Sequence, residues 1–548
     1  MPRRRLALAV LACALLLATG VRVAAGAEKR VLTHDESISY LAAACHQGDY
    51  ARLTVRTESP YGRWVPASEW KALLRPDRPL CLRQIGRDLA REDIHPPLYF
   101  WLLHGWALVF GVGLWTGVAL NIALAALTGI ALFALARRVL GDPLEGALVA
   151  AVWSLSPAAI RVFAEARQYE LLALLAVLFV WQCLRFADPP TRSERRDAAL
   201  LAAAAAAGAL THFLFALVAV AGAGLLVARL WRADRALLAW GIASIAAGYA
   251  AFSLLHPEFA RSLERGGGQG AAPALDRLFG RLELTVDTLA ELVLPPVLAH
   301  EPLAAAACAA LAAMTALVLV RGLRTPAGAE VTRAGRTRFR AVAMPLVFVG
   351  LAGAHIVLFL SFVTPGGAMA FKHLSAVWPF AAFVPVLALE ALFRRARAPT
   401  AAAGGVALAA AGAIAVLGHL PRSETPPALE RARGVVLDNV ARGVLPRVVW
   451  RLPDEARVFA ADQRHLLEHP TAWLPELARG DLYVTGLPPS DPRYGNSAER
   501  GRRVAAAIAR RHRLEPVPES VERARVYRIG GPLRSAHGRA PPDRGPRI

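Results

Sequence analysis

Leu98–Ala134 reads LYFWLLHGWALVFGVGLWTGVALNIALAALTGIALFA and contains no Asp, Glu, Lys or Arg. A membrane core of about 30 Å is crossed by ~20 residues of helix. The stretch is therefore too long for one crossing and too short for two with a turn. Residues 98–112 alone make ~22 Å of helix, less than a crossing. They are also crowded with Tyr99, Trp101, Trp106 and Phe110, and Tyr and Trp favour the membrane–water interface. The reading is an interfacial helix over 98–112 followed by a true span at about 115–136.

The arginines test that choice. Arg3, Arg4 and Arg5 precede an apolar run from Leu6 to about Ala25. This run reads as a cleaved signal peptide or as an uncleaved first span, and the second reading is preferred. Either one exports the chain beyond residue 25. With the second span at 115–136, further spans fall at 145–162, 169–186, 198–212, 213–230, 236–255, 299–320, 341–363, 374–393 and 401–418. The short clusters Arg137/Arg138, Arg192/Arg195/Arg196, Arg229/Arg232/Arg235, Arg321–Arg340 and Arg394/Arg395/Arg397 then share the side of the N-terminal arginines, as the positive-inside rule requires. Counting 98–112 as a crossing reverses all of them.

The expected fold class is an α-helical polytopic membrane protein of about eleven spans with a small C-terminal extramembrane α/β domain. The first span covers 1–25, and a periplasmic first loop with interfacial helices covers 26–112. The transmembrane bundle covers 113–419, the α/β domain 420–530 and a disordered tail 531–548. The α/β reading rests on strand-like runs at Arg457-Val-Phe-Ala-Ala, Asp481-Leu-Tyr-Val-Thr and Arg525-Val-Tyr-Arg-Ile, with an Ala-rich helix near 500–512. Gly266–Gly270 reads as linker. The chain has a cytoplasmic N-terminus and an outer C-terminal domain, in the inner (plasma) membrane.

Composition agrees. The chain is 55% hydrophobic and 19% charged, below the ~25% charged of a soluble domain. Its net charge of +21 belongs largely to topology-setting loops beside anionic lipid, so nucleic acid is not expected as a partner. Cys13, Cys183 and Cys308 lie in spans as small hydrophobes. Cys45 and Cys81 share the first outer loop, either bridged or as two unpaired thiols. No Cys/His spacing indicates a metal site, and neither a P-loop nor a dinucleotide fingerprint occurs. A divalent metal is possible but not indicated, and no cofactor is expected.

Ionisable residues gather on the outer side of this topology. Asp35 and Glu36 stand just beyond the first span, as solvated loop charge or helix cap, or as a carboxylate placed to act as general base. Arg161, Glu165, Arg167 and Tyr169 close the third span. Arg161 and Glu165, four apart, suit a helical salt bridge. His212 marks the turn between spans five and six, and Lys372 and His373 lie between spans nine and ten. His95 opens the interfacial helix before two prolines, as a capping residue or as part of a site. Charges at this depth are candidates for function, and Arg or Lys there suits a lipid phosphate.

In these residues the chain resembles bacterial members of glycosyltransferase family 39, the protein mannosyltransferase-like group with the GT-C fold. The matching pieces, in order, are His34-Asp35-Glu36, Asp93-Ile-His-Pro-Pro-Leu-Tyr-Phe100, Ala164-Glu-Ala-Arg-Gln-Tyr169 and Thr211-His212-Phe213. Phe371-Lys372-His373-Leu374 matches more loosely, where the family often has Arg-Tyr. The resemblance covers roughly residues 30–395.

It implies transfer of a sugar from a polyprenyl-phosphate-linked donor to an acceptor on the periplasmic side, with inversion. Asp35 would be the base and Glu36 its neighbour in acceptor binding or orientation. Glu165 would position substrate, and Arg167 and Lys372 would neutralise the leaving phosphate. His95, Tyr169, His212 and His373 complete the expected substrate-binding set. The acceptor (lipid, glycan or protein) is left open, and membrane lipids are the remaining partner. The rival class is a transporter or flippase of lipid-linked sugars, which needs polar residues lining a path at mid-membrane. Here the spans are Ala/Leu-rich and the charges gather at one face. A third reading is an assembly scaffold without activity, against which the intact Asp35–Glu36 pair argues.

Overall fold

The computed structural model describes residues 2–56, 58–187, 194–266, 301–324, 333–361, 371–393, 427–486, 496–517 and 524–532. The chain divides into two compact units. One comprises Met1–Glu28, Leu89–Tyr99 and Gly117–Pro421, and the other Lys29–Asp88, Phe100–Thr116 and Arg422–Ile548.

The stretch 98–134 folds as read. Helix α6 (Leu98–Phe110) is separate from α7 (Leu114–Leu140), and its 13 residues make only ~20 Å. The break has a local cause. Gly111 takes a left-handed backbone, φ 75°, which only glycine adopts without strain. Thr116 Oγ1 then donates to the Gly111 carbonyl at 3.0 Å and accepts from the Gly113 N–H at 2.9 Å.

The helical unit contains α1 (Pro2–Ala27), the rest of α7, α8 (Pro143–Ser154), α9 (Pro157–Val162), α10 (Tyr169–Ala187), α11 (Glu194–Ala209), α12 (Phe215–Leu230), α13 (Arg235–Leu255) and α14 (Phe259–Gly266). It also contains the helices Glu301–Arg324, Arg333–Ser361, Trp378–Ala381 and Phe383–Phe393. Among the described residues four helices are long and apolar enough to cross a membrane: Arg3–Ala27, Leu114–Leu140, Tyr169–Ala187 and Arg235–Leu255.

Small residues bring these helices together. Ala14, Ala18, Val21 and Ala25 of α1 pack with Val118, Ala151, Leu155, Ile160 and Phe163. Gly248 of α13 lies so close to α11 that a Cβ would meet the Ala202 carbonyl at 2.4 Å. Apolar tails outside the bundle offer no hydrophobic gain for helix–helix contact, so such close approach is what holds membrane helices together.

Two expected spans are interrupted. The run 145–162 splits into α8 and α9 because Pro157 has no N–H to continue a helix. Ser156 restarts the chain by accepting from the Ala159 N–H at 3.2 Å. The run 374–393 divides into a 3₁₀ turn, Phe371–Leu374, and the helices Trp378–Ala381 and Phe383–Phe393. The eleventh expected span, 401–418, and the tail beyond Pro532 lie outside the described residues. Gly531 and Pro532, expected in that tail, end a strand.

The second unit joins two regions that the sequence reading keeps apart, the first outer loop and the C-terminal region. Its six-stranded sheet has the order β1-β3-β2-β4-β6-β5, with β1 Trp64–Pro66, β2 Gly434–Leu437, β3 Arg457–Ala460, β4 Leu482–Gly486, β5 His512–Pro516 and β6 Ala524–Pro532. The central β3, β2 and β4 are parallel, and β1, from the first loop, pairs antiparallel with β3 through Trp64↔Phe459. Buried Asp438 ties the strand ends together. Its Oδ2 accepts from Gln463 Nε2, Tyr483 Oη and Thr485 Oγ1 at 3.0, 2.8 and 2.9 Å.

The same unit holds a Cys45–Cys81 disulfide, Cα–Cα 6.4 Å, inside the range such bridges require. The structure thus decides between the two readings of this pair. Thiol labelling of denatured, non-reduced protein is expected to modify Cys13, Cys183 and Cys308 only, with Cys45 and Cys81 reacting after reduction. Replacing the bridged pair by serine is expected to cost on the order of 3–4 kcal/mol on the chain-entropy model, read as a lowered melting temperature.

Candidate functional site

The turn between α9 and α10 carries Ala164-Glu-Ala-Arg-Gln-Tyr169. Asn121 of α7 holds it: Nδ2 donates to the carbonyls of Phe163 at 3.2 Å and Glu165 at 2.5 Å. Asn121 Oδ1 accepts from Tyr99 Oη at 3.1 Å. The Leu98 N–H donates to the Leu210 carbonyl at 2.9 Å, which ties the His95-Pro-Pro segment to the loop that carries His212.

Around this turn the helical unit assembles seven of the nine expected residues. Arg167 Nη2 lies 2.5 Å from His95 Nε2, and Gln168 Nε2 lies 2.9 Å from His95 Nδ1. The Tyr169 ring is the hub, with His212 at 5.7 Å and His373 at 5.9 Å between ring centroids. Lys372 Nζ stands 5.7 Å over its face. His95 and His212 are 5.6 Å apart. Glu165 Oε2 accepts from Lys372 Nζ at 3.2 Å, with 30% and 20% of the side chains exposed. Glu165 lies beyond the end of α9 at Val162, so the helical pairing expected with Arg161 is replaced by this contact.

His212 Nδ1 accepts from the Leu214 N–H at 3.1 Å. A ring nitrogen that accepts carries no proton, so His212 is neutral here. Lys372 is the cation over Tyr169 and Arg167 the cation on His95, with the Asp93 carboxylate 3.9 Å from His95 Nε2. Cations with uncharged donors beside them have the chemistry to take a phosphate or another compact anion.

The other two expected residues lie in the second unit, on α2 (His34–Ala43). Thr33 caps this helix: its side chain accepts from the Glu36 N–H, and the Glu36 carboxylate accepts from the Thr33 N–H at 2.8 Å, a reciprocal capping box. Glu36 is fully buried and also pairs with Lys29. Its oxygens are occupied in building the helix start. Asp35 points elsewhere. Its side chain is 28% exposed, and Oδ1 lies 3.3 Å from His34 Nδ1. A helix N-terminus favours negative charge.

The segment is braced within its own unit. Arg447 Nε donates to the Leu32 carbonyl at 3.2 Å. Gly443 meets the His34 ring so closely that a Cβ would stand 2.1 Å from it.

Three contributors are absent from the expected set: Asn121, Gln168 and Asp93, whose Oδ1 is 3.9 Å from His95 Nε2. Asp93 and Gln168 stand inside the motifs that carry His95 and Tyr169. Asn121 is the one carboxamide in the apolar stretch 98–134, which is the signal that finds it.

No curated protein matches the sequence. Among solved structures the chain is similar to ArnT from Cupriavidus metallidurans bound to undecaprenyl phosphate, with TM-score 0.49 and 14% identity over 95% of this chain and 97% of that one. It is also similar to the archaeal oligosaccharyltransferase AglB from Archaeoglobus fulgidus, in complex with an inhibitory peptide and a dolichol-phosphate. There the TM-score is 0.48 and the identity 10%, over 93% and 73% of the two chains. Residues 94–256, which carry His95, the Ala164–Tyr169 turn and His212, match the family of dolichyl-phosphate-mannose-protein mannosyltransferases, the family the motifs resemble.

Proposed function

We propose that this protein is a membrane glycosyltransferase that moves a sugar from a polyprenyl-phosphate carrier to an acceptor on the periplasmic side of the inner membrane, with inversion. The observation that carries the reading is the pair of cations, Arg167 on His95 and Lys372 over Tyr169, beside a turn, Ala164–Tyr169, that lies inside the family match. The leaving group of such a reaction is a phosphate, and it needs positive charge where the bond breaks.

Asp35 is the general base. It takes the proton from the acceptor hydroxyl or amine, whose freed electron pair attacks the anomeric carbon. The bond from that carbon to the phosphate oxygen breaks, and the pair leaves with the phosphate. Lys372 is suited to follow the developing charge. Its contact with Glu165 is partly open to solvent, which makes the pair easier to part than a fully buried one. It can exchange Glu165 for a phosphate oxygen at little cost. Glu36 is the structural partner of Asp35 and builds the helix that presents it.

Asp35→Asn is expected to abolish transfer, by ~10²–10⁴ in rate, with membrane abundance unchanged. Activity of the Asn variant at the unmodified level would remove Asp35 from the mechanism. With donor and acceptor varied separately, Arg167→Gln and Lys372→Gln are expected to raise the donor KM and leave the acceptor KM alone. A change confined to the acceptor would reassign both. Reporter fusions are expected to place residues 190 and 330 in the cytoplasm and residues 60, 280 and 480 outside, and a cytoplasmic reporter at 480 would overturn the eleven-span topology.

A further inference from the structure

Both ring nitrogens of His95 face a side-chain nitrogen, Arg167 Nη2 at 2.5 Å and Gln168 Nε2 at 2.9 Å. A neutral imidazole has one nitrogen that donates and one that accepts, and an imidazolium has two that donate. No form of the ring accepts two hydrogen bonds from two donors while keeping its proton. Arginine has no acceptor at all. His95 Nε2 is therefore the bare nitrogen that receives the guanidinium N–H, and Nδ1 carries the proton.

That proton needs an acceptor, and the amide oxygen of Gln168 supplies it once oxygen and nitrogen exchange places. The two are assigned from their hydrogen bonds rather than told apart by shape. A second observation requires the same exchange. In the opposite orientation Gln168 Oε1 is buried without a partner, on a side chain with no exposure.

We infer that Gln168 is a positioning residue for the phosphate site: by accepting from His95 Nδ1–H it fixes the tautomer whose neutral Nε2 orients Arg167 and brings no negative charge of its own. The inference rests on Arg167 being a ligand of the donor phosphate. The surroundings preserve the neutral state. His212, 5.6 Å away, accepts from the Leu214 N–H and brings no charge. Lys372 stands over Tyr169. The Asp93 carboxylate accepts from the Ile94 N–H at 2.7 Å and lies 3.9 Å from Nε2. A carboxylate in the place of His95 would hold the guanidinium at least as firmly, and would neutralise it.

The test uses the full-length protein in detergent, with undecaprenyl phosphate as probe and binding read by native mass spectrometry. Gln168→Glu keeps the volume and an acceptor, but its charge draws a second proton onto His95 and so removes the lone pair that holds Arg167. Binding is expected to weaken about tenfold or more, the scale of a lost hydrogen bond to a charged group. In turnover the donor KM should rise in step and the acceptor KM should stay fixed. His95→Glu is expected to weaken binding as well, although it can still grip Arg167. Should Gln168→Glu fail to accumulate in the membrane, Gln168→Ala deletes the acceptor without adding charge and carries the same direction of change.

Unaltered affinity in Gln168→Glu and His95→Glu would overturn the inference, because it would reduce both residues to packing. An unmodified protein that does not bind the probe would overturn the reading of the phosphate site itself, and the inference with it.

Discussion

A turn packed into a helical bundle must satisfy the backbone groups it buries, because water does not reach them. In this protein that constraint falls on the six residues between α9 and α10, and Asn121 meets it. One carboxamide donates to two carbonyls of the turn and accepts from Tyr99. An apolar side chain at 121 would leave the Phe163 carbonyl without its donor, at about 1–3 kcal/mol for a group left buried without one, while the Glu165 carbonyl would keep the Arg167 N–H at 2.7 Å. The loss would fall on the segment that orients Glu165, Arg167, Gln168 and Tyr169. The charged groups therefore depend on an uncharged one.

How much of this is legible in the sequence varies with how local each determinant is. The division of Leu98–Ala134 is legible because both of its causes are nearby: aromatic residues at one end and Gly111 and Gly113 at the break. The site turn is legible as a motif, and the structure brings its residues together with His95, His212, Lys372 and His373. The continuous third span is not formed, although Ser156-Pro157 announces the interruption. Hydropathy measures how apolar a window is and is blind to whether its helix is continuous. The strand Trp64–Pro66 is not legible at all. It has three residues, and its partner lies almost four hundred positions away at Arg457–Phe459. No local pattern specifies such a pairing. Nor does the sequence foresee that the first loop and the C-terminal region share one sheet.

The adjacent carboxylates Asp35 and Glu36 show what residue type alone leaves undecided. Consecutive helical positions diverge by about 100°, so one helix start cannot send both side chains the same way. Glu36 occupies the third helical position after Thr33, where a glutamate reaches back to the cap N–H. This geometry buries it and leaves its neighbour turned outward. The Thr-x-x-Glu spacing is present in the sequence, and with the structure it separates the two roles.

Arg167 and Lys372 are held by different means, and the difference follows from their chemistry. Arginine keeps its proton under all ordinary conditions and offers a fixed planar fork, so a neutral acceptor is enough to orient it. His95 supplies that acceptor and adds no negative charge. Lysine is a point charge on a flexible stem and stays in place only if something attracts it. Glu165 provides the attraction through a contact that solvent reaches from one side, and the Tyr169 face provides a second, weaker one. The arrangement combines a permanent positive site with a displaceable one. In the proposed reaction the first would select an anion before any bond breaks. The second would move toward charge as it develops, because leaving a partly exposed carboxylate costs less than leaving a buried one.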